Sequence, residues 1–322
     1  MFLSSFDIFA QNHLNSVDLR VALIWIILLQ LLSASVDAQE AVAYTDSSKK
    51  QRTLFYRASL YTGAYYATSM VIMSKTWYKD RELVPFHFYN DSKGYQQVDK
   101  FGHAFGGYVY SYIGHSYLKS RGFSQLEALT IGGTLGFVLQ APIEIMDGIH
   151  EGYGFSWGDM VANASGSALV IGQELLFGEQ IVKYKFSYWE SEYASRANGY
   201  LGKSTFDRVL KDYNGHTYWL SVPIAKIFPN RRIPPWLCIS FGYGANGMYG
   251  EFYNISEYNG VSIPYARRYR QYIVSLDIDW TKIPTQSKFL KVVFKGLTFV
   301  KFPFSAIELT SSGQVKGHWI YY

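Results

Sequence analysis

The chain is 322 residues long and 48% hydrophobic, which suffices for a substantial core and excludes intrinsic disorder. Charged residues make up only 17%, where about a quarter is usual, and aromatic residues reach 18%, with 28 Tyr, 22 Phe and 8 Trp. That exchange of charge for amphipathic rings argues against an ordinary cytosolic enzyme and for contact with a bilayer interface; the net charge of +5 forms no Arg/Lys stripe of the kind nucleic acid requires, and the single cysteine, Cys238, excludes a disulfide framework and a cysteine-rich zinc site.

Residues 21–32 are a short apolar run preceded by Arg20 and followed by small residues. The pattern predicts a secretory signal over 1–38, cleaved after Ala38, with an uncleaved anchor as the alternative. Residues 39–52 are polar and read as a flexible lead-in. Residues 60–73 are small, aromatic and apolar, and favour helix. A polar, aromatic loop over 77–95 follows. A helix is expected over 98–119, ended by Arg121 and Gly122. Ser124 and Glu127 form a capping box that opens a second helix reaching about Met146, which Pro142 should kink or end. Ser156 and Asp159 open a third, reaching about Phe177. Gly102 and Gly106, Gly132 and Gly136, and Ala162 and Gly166 stand four apart, a spacing that lets helix backbones approach closely.

Beyond about residue 200 the period changes to two. In 268–280 one face collects Tyr269, Gln271, Ile273, Ser275, Asp277 and Asp279, and the other Arg270, Tyr272, Val274, Leu276, Ile278 and Trp280, the mark of a strand with one mostly polar and one mostly apolar side. Strands are also expected over 217–222, 236–248, 289–300 and 314–322, the last with aromatic residues at its end like the terminal strand of an outer-membrane barrel. The fold class is therefore α+β: a membrane-associated helical bundle over 53–195, then an antiparallel, β-rich region over 196–322. The alternative is an outer-membrane β-barrel with helical insertions, although a count of about six strands, these five included, falls short of the usual eight.

Polar residues in the helical half recur at helical spacing within apolar surroundings: Asp99 and His103 with Lys100 beside them, Glu144 and Asp147 followed by His150 and Glu151, and Asp159 and Asn163. Isolated charges are costly in such surroundings, so the three groups are expected to converge. His103, Glu144 and Asp159 are the candidate ligands of a divalent metal, of a type that suits Zn or Mn. The same residues also make sense as a general acid–base set, or as a hydrogen-bond network that only locks three helices in register. No zincin, phosphate-loop or nucleophile-elbow motif is present.

Asp99-Lys100-Phe101-Gly102-His103, Glu144-Ile145-Met146-Asp147-Gly148, Gly154-Phe155-Ser156-Trp157-Gly158-Asp159 and Asn163-Ala164-Ser165-Gly166, in this order, resemble the YfiM-like family of predicted periplasmic lipoproteins, whose function is unknown. More distantly, they are similar to VanZ-like membrane proteins. The resemblance covers about 55–190 and implies residence in a Gram-negative cell envelope, at the periplasm or outer membrane. The chain departs from the lipoprotein pattern in having no cysteine after its apolar run. The expected function is that of an envelope protein, not demonstrably catalytic, with a polar pocket for a lipid-linked or glycan ligand. Membrane lipid and other envelope proteins are the expected partners. A metal-assisted hydrolase or transferase acting on lipid headgroups is one alternative, and a structural subunit of an outer-membrane assembly is another.

Overall fold

The computed structural model describes residues 81–229 and 232–322, together with separate positions between 53 and 78. The expected signal and lead-in, 1–52, lie outside the described residues. Helix α1, Val98–Ser120, is the central rod. Helix α2, Leu135–Asp147, and helix α3, Trp157–Phe177, pack against it. The capping box forms as expected: the Ser124 side chain accepts from Glu127 N and the Glu127 carboxylate accepts from Ser124 N. The helix it opens does not run through to Met146. It passes into a π-turn at Ala128–Gly132, and a regular helix resumes at Leu135 and continues past Pro142 to Asp147. The break thus falls before the proline, where Gly132 presses on the Gly114 backbone and leaves no room for a Cβ. Packed neighbouring helices allow the proline to remain inside α2.

Glycine sets the helix spacing. A Cβ at Gly136 would overlap the carbonyl of Gly107, and one at Gly166 would overlap the carbonyl of Ala104. The restart of α2 has no side-chain cap of its own. Its first-turn amides are satisfied from the neighbours instead: Gly136 N donates to Ser111 Oγ at 3.0 Å and Phe137 N to Ser167 Oγ at 3.0 Å, and the two hydroxyls meet at 2.9 Å.

The strands are β1 (Lys183–Tyr188), β2 (His216–Pro223), β3 (Leu237–Asn246), β4 (Glu257–Tyr258), β5 (Val261–Ser262), β6 (Tyr269–Ile278), β7 (Phe304–Thr310) and β8 (Val315–Tyr321). Apart from the small β4–β5 hairpin they form one six-stranded antiparallel sheet in the order β1-β2-β3-β6-β7-β8. β1 belongs to this sheet although it precedes residue 196. The expected strand over 289–300 is a helix, α4, Lys288–Gly296. Ser287 caps it, and Lys288, Lys291 and Lys295 recur at helical spacing among apolar residues, so the 3.6 period wins over β-propensity.

Among the described residues the sheet does not close into a barrel. Its ladder ends at β1 and β8, and the outer edge of β1 is occupied by the segment before β7, where Lys301 N donates to Phe186 O. The ends nevertheless approach each other through side chains, as Trp189 stacks on Tyr322 at 4.3 Å and Trp219 packs edge-on against Tyr321. Part of the sheet's outer face is covered by α1: Tyr184 and Tyr218 join Val98, Tyr108 and Val170 in the main core.

Candidate functional site

The polar groups are gathered at the N-terminal end of α1. Asp99, Lys100 and His103 lie on its first turns, Glu144 near the end of α2, and Asp159 and Asn163 near the start of α3. α3 starts where it does because the Ser156 hydroxyl accepts from Asp159 N, which fixes Asp159 at the third helical position. The same hydroxyl donates to Asp91 Oδ1 at 2.6 Å.

Lys100 is the hub. Its Nζ lies 2.7 Å from Asp91, 2.7 Å from Asp159 and 3.2 Å from Asp99. His103 divides its two nitrogens between different partners. Nδ1 faces Asn163 Oδ1 at 3.1 Å and Glu144 Oε1 at 3.5 Å. Nε2 faces Asp159 at 3.6 Å and Asp99 at 3.9 Å. The ring is therefore held from the Nδ1 side, and Nε2 is directed at two carboxylates.

Asp99, His103 and Asp159 each offer a ligand atom within 4.8 Å of the others. In the structure the metal-ligating combination thus draws on Asp99, while Glu144 stands behind the imidazole, the position of an outer carboxylate that orients a ligating histidine. Glu144 is 1% exposed, and neither of its carboxylate oxygens has a hydrogen-bond partner among the described residues. Asp147 does not join the cluster by a direct contact: it accepts from the Tyr78 hydroxyl. His150 is turned to the Met146 carbonyl and stacks on Tyr78.

Two residues that sequence spacing did not single out belong here. Asp91 comes from the loop before α1, where no periodicity marks it. Tyr213, from the β-rich half, donates to Asp99 Oδ1 at 2.9 Å. The cluster is packed, with Asp159 and Asn163 also buried; Asp99, Lys100 and His103 reach the surface partially, at 21%, 14% and 20% side-chain exposure.

Carboxylates outnumber cations, and the acidities reflect this. Burial pushes the Glu144 carboxyl up to about 8 and the Asp159 carboxyl to about 7, with the negative charge of Asp99 adding to both. Burial likewise lifts Asp147 to about 6. Asp99 is held below its ordinary value, because the charges of His103 and Lys100 and the Tyr213 hydroxyl outweigh its burial. His103 is raised against its burial by Asp99, Asp159 and Glu144. The arrangement can bind an added cation, or it can hold protons in its place.

The sole cysteine, Cys238, is fully buried in β3, as a small apolar residue would be. Neither a curated protein nor a solved structure matches the chain, so the more distant similarity to VanZ-like proteins finds no support there. The motif-bearing segment does match: residues 87–173, which carry the whole polar cluster apart from Tyr213, fit the model of the family described as predicted periplasmic lipoprotein (DUF2279).

Proposed function

We propose that the protein is a membrane-associated component of the Gram-negative envelope, at the periplasm or the outer membrane. On this reading its helical half binds a divalent cation through Asp99, His103 and Asp159, and through the cation an anionic group of a lipid-linked or glycan ligand. The observation that carries the reading is the division of labour around His103: Nε2 is directed at two carboxylates, while Asn163 holds the ring from behind with the buried Glu144 carboxyl 3.5 Å from Nδ1. The exposure of His103 and Asp99, about a fifth of each side chain, supports access to the set from solvent. The periplasmic description of the family supports the location.

Equilibrium dialysis of the full chain against Zn²⁺ or Mn²⁺ tests this. Stoichiometric binding is expected, lost in His103→Ala and Asp159→Asn, and weakened about 10- to 100-fold in Glu144→Gln, with the circular dichroism of the wild type retained. A wild-type chain that binds neither ion, or variants that bind as well as wild type, would sink the proposal. If His103→Ala and Asp159→Asn both unfold, the cluster is a structural lock. Metal-dependent hydrolysis of a phosphodiester headgroup, abolished in Asp159→Asn, would favour the hydrolase reading, for which the partial exposure of His103 and Asp99 is the supporting feature.

A further inference from the structure

The sheet is inverted relative to one built for water. Its concave side, turned away from α1, is buried, and around a small apolar cluster of Trp219, Ile273, Ala306 and Tyr321 it carries polar and acid–base side chains. Lys185 and Asp277, both 0% exposed, pair at 2.7 Å. Asp277 also accepts from Ser221 at 2.7 Å and Ser240 at 3.2 Å. Lys301 Nζ reaches Ser275 Oγ at 3.3 Å, and Glu308 meets His318 at 2.8 Å. Register places the alternate residues of the same strands on the convex side, and beyond the area covered by α1 these are Phe241, Val274, Leu276, Ile307 and Leu309, all exposed; Trp319, in the bulge between β7 and β8, is 92% exposed. An apolar depression of about 270 Å³ lies on this part of the sheet, lined by Ile239, Val274, Leu276 and Ile307 together with Ser305 and Ala306. In water the hydrophobic effect would favour the opposite arrangement. Apolar outside and polar inside is the arrangement that a hydrocarbon surrounding selects.

One end of the face carries a second signal. β6 runs into Trp280, which packs on Phe294 of α4 and on Phe302. α4 is amphipathic, with Lys288, Lys291 and Lys295 exposed, and with Phe289 at 74% and Leu290 at 39% exposed beside them. A short helix that offers lysines and a large ring together suits the headgroup layer, where the ammonium groups meet lipid phosphates and the ring enters the acyl region. The polar cluster lies at the other end: Arg270, eight residues before Ile278 on β6, donates to Gln97, the residue that precedes α1.

We infer that the convex face of β3, β6, β7 and β8 sits in the acyl layer of a bilayer, with α4 at the interface holding anionic headgroups. The inference deepens the membrane association proposed above and does not depend on the cation site, since vesicle binding and dialysis are read separately.

The test uses the full chain, purified in detergent and exchanged onto vesicles of phosphatidylcholine alone or mixed with phosphatidylglycerol. In a Cys238→Ser background an environment-sensitive fluorophore is placed at Val274→Cys, Leu309→Cys or, as a water-facing control, Tyr265→Cys, whose native side chain is 92% exposed in a loop. The labels at 274 and 309 should shift to the blue on vesicles and be quenched by lipids brominated on the acyl chain. The label at 265 should do neither. The triple variant Lys288→Gln, Lys291→Gln, Lys295→Gln should lose on the order of 10- to 100-fold in affinity for the anionic vesicles and little for the neutral ones. Should Cys238→Ser fail to fold, tryptophan quenching of the wild type by the same lipids, diminished by Trp319→Leu, reads the same face. The inference is overturned if the chain binds neither vesicle. It is also overturned if the labels at 274 and 309 are shielded without lipid in a species of doubled mass, which would make the covering surface a second copy.

Discussion

Glu144 shows how strongly burial can act on one side chain of the polar cluster. Its carboxyl is pushed up to about 8 from an ordinary 4.5, first by burial and then by the charges of Asp159, Asp147 and Asp99. The unfolded chain ionises this group near 4.5 and the folded chain holds its proton until about 8, so the folded state binds more protons between those values. The stability contributed is therefore full below pH 4.5 and lost as pH rises through 8. With chelator present, denaturant unfolding at a series of pH values should show stability falling over that window, and Glu144→Gln should flatten the slope; an unchanged slope would mean that the carboxyl ionises normally. The spacing of Asp99, His103, Glu144 and Asp159 was readable in the sequence because helical periodicity announces a shared face. Which ring nitrogen each carboxylate would meet was not, because that depends on how three helices rotate against one another.

At the level of elements, α1 and α3 matched their sequence signals closely, α3 through its Ser156 cap and its period, and α1 through period and the Arg121–Gly122 stop, its first residue following a left-handed Gln97 that offers no side-chain cap. α2 did not. Its segment carries a capping box, an apolar stretch and a proline, all local, whereas its interruption is imposed by Gly132 meeting Gly114 across the helix interface. The serine pair that rescues the restart is equally non-local, with Ser111 on α1 and Ser167 on α3. Ser167→Ala should leave Phe137 N unsatisfied inside the bundle and cost about 1–3 kcal/mol. Because the two hydroxyls bond each other, the costs of Ser111→Ala and Ser167→Ala should not add, and a double-mutant cycle in urea would reveal it. Simple additivity would show that the hydroxyls act independently. β1 and β7 were missed although both alternate, as Lys183, Lys185 and Ser187 do against Tyr184, Phe186 and Tyr188. Short strands of that kind are hard to separate from loops until partners are known.

Across the whole molecule, the helical half and the sheet are joined by aromatic packing and by Tyr213, which reaches from the β-rich half to Asp99. The buried Lys185–Asp277 pair is the polar centre of the sheet. Lys185→Met should take from the buried Asp277 its ion-pair partner, leaving it only the Ser221 and Ser240 hydroxyls and Phe302 N, and destabilise the protein by about 3–5 kcal/mol, and adding Asp277→Leu should recover part of that loss. A single variant as stable as wild type in thermal unfolding would show that the pair lies in a wetter setting than its burial indicates. The sequence by itself determined the α+β order, the starts of α1 and α3, most of the polar residues that converge and the existence of strands with one mostly polar and one mostly apolar side. Alternation says only that two faces differ. Which of them turns inward was decided by the tertiary structure, because the ends of the sheet approach each other over the face of Lys185, Asp277 and Glu308, and α1 lies on part of the opposite face, leaving Val274, Ile307 and Leu309 facing out.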